Sequence, residues 1–248
     1  MERGDINPVL ALIKTSTVLE DAASHADLVV EAVFEDLELK RSIFGRLDSI
    51  CHERVTLASN SSGFGPSEYA SATKRPERFA GAHYLYPPHL LPLVKIVRGE
   101  RTSDETVAVV YSLLKATGKN PVVVQHETPG FIVNRLQTAL QREALYLVEQ
   151  GTASAQDVDI AVRASFGRRL PFVGPFESVE IQGDLQTLSR VFDHIVHSLC
   201  SLRKPSPVLK EKIRRGEIGA KAGRGFYEWT QESLDASRRK LLRLLREG

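Results

Sequence analysis

Asp27-Leu28-Val29-Val30-Glu31-Ala32-Val33 decides the fold of this chain. A short apolar run bounded by polar residues reads as a strand buried on both faces. Next comes Leu37 to Cys51, where Leu37, Ile43, Phe44, Leu47 and Ile50 recur near helical spacing. Val55-Thr56-Leu57-Ala58-Ser59 then reads as a second strand. Strand, helix and strand in that order make a βαβ unit. Upstream, Leu19 to His25 reads as a short helix. Downstream, Arg78 to Tyr84 and Leu93 to Val97 add two strands. Thr106 to Thr117 carries Val107, Val110, Leu113 and Leu114 on one helical face, and Gly118 stops it. Pro121 to Val124 is the last strand. Helices between strands predict a mostly parallel sheet.

From Gly130 onward strand signals vanish. The spacing predicts helices over Phe131–Gln150 and Ala155–Ala164, then one from Gly174-Pro175 to about Leu199, then Pro205–Arg215 and Glu232–Arg246. The boundary falls near Glu127 to Gly130, giving residues 1–127 and 128–248 as two domains. The last helix has a basic face and a stripe of Leu241, Leu242, Leu244 and Leu245, expected to pack on its own domain.

At 248 residues the chain can bury one good core or two small ones. Its 33 basic and 31 acidic residues nearly cancel, so nothing argues for nucleic acid or a membrane surface. The longest apolar runs, such as Leu28 to Phe34, are strand length and too short to span a bilayer. Met1-Glu2-Arg3-Gly4-Asp5 is polar and lacks the apolar core of a signal peptide. Cys51 and Cys200 lie far apart without metal or redox spacing. Reduced thiols in a cytoplasmic protein, with no metal site, are the expectation.

Three polar residues stand beside apolar runs: Ser62 in Asn60-Ser61-Ser62-Gly63, His83 in Phe79-Ala80-Gly81-Ala82-His83, and Asn134 in Thr128-Pro129-Gly130-Phe131-Ile132-Val133-Asn134-Arg135. Alone, each is weak. A small residue after a strand makes a turn, a lone histidine is more often structural, and asparagine is common in the first turn of a helix. In this order, within these surroundings, they resemble the L-3-hydroxyacyl-CoA dehydrogenase family, including its lambda-crystallin-like members. The resemblance runs from about Thr15 to Tyr227. It implies an α/β plus all-α architecture: an incomplete Rossmann-type parallel sheet followed by a helical dimerisation domain.

The resemblance also implies roles. His83 is the catalytic base, Ser62 and Asn134 orient the substrate oxygen, and Glu35, Lys40 and Asn60 border the nicotinamide end of NAD or NADP. Hydride passes between the cofactor and C3 of a 3-hydroxyacyl-CoA or related 3-hydroxy acid, as in fatty acid metabolism. A homodimer with a small-molecule substrate follows. Gly174-Pro175-Phe176-Glu177 and Lys221 to Tyr227 match two later signatures, read as a helix start and a Gly-rich turn.

Two departures accompany it. The family's His-x-x-Asn-Pro has Tyr86 at the asparagine, and Lys95 stands where a glutamate should pair with the histidine. An ammonium there opposes the imidazolium and lowers the histidine pKa. Glu100 and Glu177 are candidate substitute acids. No GxGxxG occurs, so the family's phosphate turn and its flanking strands are expected to precede residue 1. These departures keep a second reading open: a catalytically impaired homologue serving as a dimerising or binding module.

Overall fold

The structure is a computed structural model that describes residues 6–247; the polar start Met1–Asp5 lies outside the described residues. The chain divides into two compact units, 1–132 and 133–248, slightly beyond the boundary read from the sequence.

The first unit opens with two short helices, α1 (Asn7–Ala11) and α2 (Leu19–Ala23). Strand β1 (Leu28–Glu31) leads into helix α3 (Leu37–Ile50) and strand β2 (Thr56–Ser59). Asp36 starts α3 by accepting a hydrogen bond from the Leu39 amide at 2.9 Å. A short helix α4 (Pro66–Ala70), absent from the sequence reading, precedes strands β3 (Phe79–Tyr84) and β4 (Leu93–Arg98). Helix α5 (Asp104–Ala116) and strand β5 (Asn120–Val124) complete the unit. Gly118 ends α5 with φ +75°, and the Lys119 amide reaches back to the Leu114 carbonyl at 2.9 Å. That closure needs a left-handed residue, which glycine supplies without strain.

The five strands lie in sequence order. β1, β2 and β3 run parallel, as do β4 and β5, whereas β3 and β4 are antiparallel. Only the loop 85–92 joins β3 to β4. A connection that short cannot return the chain for a parallel pairing. The exception matters, because it sets His83 directly opposite Lys95. β2 is buried along its whole length, as a strand covered on both faces must be. Pro121 is tolerated because β5 is at the sheet edge.

One face of the sheet packs an aromatic cluster. The Phe44 ring meets Phe79 edge-on at 4.3 Å and stacks near Tyr69 at 5.4 Å. The other apolar cluster holds Ala80, Ala82, Val94 and Ile96 against Val110 and Leu114 of α5. Thr102 and Thr106 are also buried, but their hydroxyls donate to the carbonyls of Phe79 and Glu77.

The second unit is helical: α6 (Val133–Glu149), α7 (Ala155–Ala164), α8 (Pro175–Gln182), α9 (Leu185–Ile195), α10 (Pro207–Arg214) and α11 (Gln231–Glu247). The single helix expected from Gly174 to Leu199 is broken in two. Gly183 is extended, and Asp184 caps α9 by accepting from the Thr187 amide at 2.6 Å. A local cap satisfies amides that a continued helix would have used differently. The Lys221–Tyr227 turn folds back through bridges from Arg224 to Gly219 and Glu228, with Gly223 at φ +74°. The leucine stripe of α11 departs from expectation. Leu241 and Leu244 are 57% and 58% exposed and only Leu245 is half-buried, so most of the stripe is not packed within the chain.

Phe44 is wholly buried between two aromatic rings and a helix. Phe44→Ala is expected to destabilise the first unit by roughly 3–5 kcal/mol, read from chemical denaturation followed by circular dichroism.

Candidate active site

The site is built at the C-terminal ends of β1 and β2 and on the β3–β4 ladder. Glu31 ends β1 inside an apolar run and is buried. Its carboxylate accepts from Lys40 Nζ at 2.9 and 3.1 Å, from Ser59 Oγ at 2.6 Å and from the Val33 amide at 2.6 Å. A buried charge needs this many partners to offset lost hydration. Lys40 Nζ also lies 3.4 Å from Glu35.

Glu35 passes the arrangement to the loop after β2. One oxygen accepts from Ser61 Oγ at 2.5 Å, the Ser62 amide at 3.1 Å and the Gly63 amide at 2.7 Å. Burial works to raise its pKa, but bonds from Ser61 and Gly63 and the Lys40 charge hold it below the usual carboxylate range. Asn60 Oδ1 accepts from the Tyr84 amide at 2.8 Å, tying that loop to the end of β3.

The loop so held presents Ser62, whose Oγ lies 3.0 Å from His83 Nε2. His83 is 7% exposed. Its pKa falls to about 4, first through burial and second through Lys95, with Glu35 opposing. Burial thus outweighs the ammonium invoked from sequence. Lys95 is also buried, which pushes its own pKa down. His83 Nδ1 and Lys95 Nζ are both sealed from solvent without a hydrogen-bond partner. Glu100 is exposed and gives His83 no hydrogen bond, so it does not replace the acid. Glu177 instead serves the start of α8, accepting from the Gly174 amide at 3.4 Å. Tyr86 is 91% exposed.

The sequence-read residues therefore divide. Ser62 and His83 are in contact, and Glu35, Lys40 and Asn60 surround the loop that carries Ser62. Asn134 belongs to the second unit, in the first turn of α6. Lys40 turns its ammonium to Glu31 and Glu35 rather than to open space. Sequence reasoning gave no role to Glu31 or Phe131. Glu31 could have been found, since a glutamate inside a strand of valines demands a buried partner. Phe131 adopts φ +50°, and its ring stands 6.3 Å from the His83 ring and 5.3 Å from Lys95 Nζ. Nothing in its sequence context signals that backbone.

These residues stand at the C-terminal ends of β1 and β2. The C-terminal ends of parallel strands are where doubly wound sheets bind ligands. Here they offer the polar Asn60 and Glu35, an 86% exposed Phe34 face, and Gly63, where a Cβ would stand 3.1 Å from Glu35 Oε1. The pyrophosphate has no matching GxGxxG in the sequence.

With a serine–histidine pair beside such a sheet and a helical unit following in the chain, this protein belongs with the NAD-dependent dehydrogenases. The chain belongs to the 3-hydroxyacyl-CoA dehydrogenase family. The family's NAD binding domain matches residues 1–128 and its C-terminal domain residues 130–229. It is 37% identical to the mitochondrial hydroxyacyl-coenzyme A dehydrogenase of Homo sapiens over 92% of this chain and 73% of that protein. It resembles the solved structure of 5-formyl-3-hydroxy-2-methylpyridine 4-carboxylic acid 5-dehydrogenase, an NAD+ dependent dismutase, with TM-score 0.87 and 31% identity over 94% of this chain and 75% of that one. It also resembles (S)-3-hydroxybutyryl-CoA dehydrogenase from Ralstonia eutropha, with TM-score 0.70 and 34% identity over 90% and 77%.

The folded chain holds His83 neutral, whereas the unfolded chain protonates it near 6.5. Between pH 6.5 and about 4 the unfolded state therefore binds more protons, and stability falls as pH drops through that window. His83→Gln is expected to flatten that part of the stability profile, measured by urea unfolding at successive pH values.

Proposed function

We propose that this chain is an NAD-dependent oxidoreductase acting at C3 of a 3-hydroxyacyl thioester or its 3-oxo counterpart. The observation that carries this reading is the 3.0 Å contact between Ser62 Oγ and His83 Nε2, held at the C-terminal edge of the sheet. NAD, when bound, accepts or supplies the hydride. Glu35 and Asn60 border its nicotinamide end, and Lys40 acts from behind by fixing Glu35. Ser62 and His83 hold the substrate oxygen and move its proton. Burial of His83 excludes water from that transfer. Asn134 carries its substrate-orienting role from the family resemblance alone.

One observation favours the second reading, of an impaired homologue: no carboxylate bonds His83 Nδ1. Turnover decides between them. With acetoacetyl-CoA and NADH, the wild type is expected to oxidise NADH, and His83→Gln to lose roughly 100-fold or more in kcat. Ser62→Ala should lose a smaller factor. Absence of NADH binding by a folded chain, read by calorimetry, would favour the module.

A homodimer formed through the helical unit is part of the same proposal. Among the described residues that unit buries Cys200, Ser206 and Gly225 alone, while Phe172, Phe176 and Leu136 are exposed. Apolar surface on that scale is normally covered by a partner. Light scattering at micromolar concentration is expected to give twice the chain mass; a monomer would overturn the assignment.

A further inference from the structure

We infer that Lys95 fixes the tautomer of His83, so that His83 offers an Nε2–H donor to Ser62, and through it to the substrate oxygen, instead of a free lone pair. The inference rests on reading Ser62 and His83 as the reacting pair, and makes Lys95 a positioning residue acting through the imidazole.

The antiparallel ladder sets His83 and Lys95 directly opposite each other, so their side chains leave the same face of the sheet. Each ends in a nitrogen sealed from solvent and unpartnered, Nδ1 on one and Nζ on the other. Both stand against the same ring, that of Phe131. An ammonium has three donors and no acceptor. A neutral imidazole beside it gains by turning a lone pair to it, which puts its single hydrogen on the far nitrogen. The charged groups facing His83 are Lys95 from β4 and Glu35 from the segment after β1. Glu35 is committed to Ser61, Ser62, Gly63 and Lys40. Lys95, which acts on His83 through its charge and not through a hydrogen bond, is therefore the group left to bias Nδ1.

With hydrogen on Nε2, the contact to Ser62 runs from Nε2–H to Oγ, leaving the serine hydroxyl free to donate. The serine hydroxyl, polarised by that bond, then donates to the substrate oxygen, an arrangement suited to a carbonyl or a forming alkoxide. Bound NAD in its reduced form would supply the hydride to C3, and the Ser62 hydroxyl, backed by His83 Nε2–H, would stabilise the charge developing on the substrate oxygen.

The test is 15N–1H NMR of the ligand-free full chain labelled at histidine, across pH. The wild type is expected to show His83 with hydrogen on Nε2 at neutral pH. Lys95→Met fills the same space without a donor and should give mixed tautomers with a raised His83 pKa. Lys95→Glu should move the hydrogen to Nδ1 and raise the pKa further. If the glutamate variant does not fold, the methionine variant and wild type still decide. Hydrogen on Nδ1 in the wild type, or a tautomer and pKa indifferent to Lys95, would overturn the inference. In acetoacetyl-CoA reduction, Lys95→Met should lose roughly 100-fold in kcat with little change in KM. Lys95-dependent tautomers without turnover would uphold this assignment and overturn the dehydrogenase reading. Turnover with a tautomer indifferent to Lys95 would do the reverse.

Discussion

The buried pairing of Glu31 with Lys40 is the interaction on which the first unit's functional end depends. It joins the end of β1 to α3, and through Ser59 it joins both to β2. Once Lys40 is held there, Glu35 is drawn to the same ammonium and its free oxygen gathers the amides of Ser62 and Gly63. The position of Ser62 is therefore set by a chain of charge-assisted hydrogen bonds. Such bonds are stronger than neutral ones, and removing one partner leaves a buried charge uncompensated. A loop held this way can present a hydroxyl to His83 without relying on its own packing.

The second constraint is the single antiparallel pairing. A parallel β3–β4 connection would need a crossover of a dozen residues or more. The short loop between them forbids it, and the resulting register decides which residue faces His83. In this chain that residue is a lysine. A carboxylate would accept from Nδ1–H and favour the imidazolium, while an ammonium favours the opposite polarity. The family's fold is kept, and where the resemblance implies a glutamate on this rung, a lysine reverses the charge facing His83.

Much of the first unit was legible in the sequence because its strands are continuous apolar runs and its helices carry clear caps and periodic faces. Asp36 and Ser103 each accept from an amide three residues on, as Ser154 does in the second unit. Ser62 and His83 were legible as a pair only through the order of motifs. The long helix after Gly174 was misread because Gly183-Asp184 offers a local cap that apolar spacing does not reveal. The leucine stripe of α11 was misread for a related reason. Periodicity tells which face is apolar, but not what covers it.

The sequence by itself determined the alternation of strands and helices, the change to an all-helical second half, and the charge reversal at Lys95, since these follow from side-chain pattern and identity. Only the tertiary structure decided that Glu31 anchors Lys40, that Glu35 grips the Ser61–Gly63 loop, and that Phe131 walls the His83–Lys95 pair. Those contacts join residues tens of positions apart. Their existence depends on strand order and register, which are set by loop length and by burial across the whole sheet and not by any local stretch.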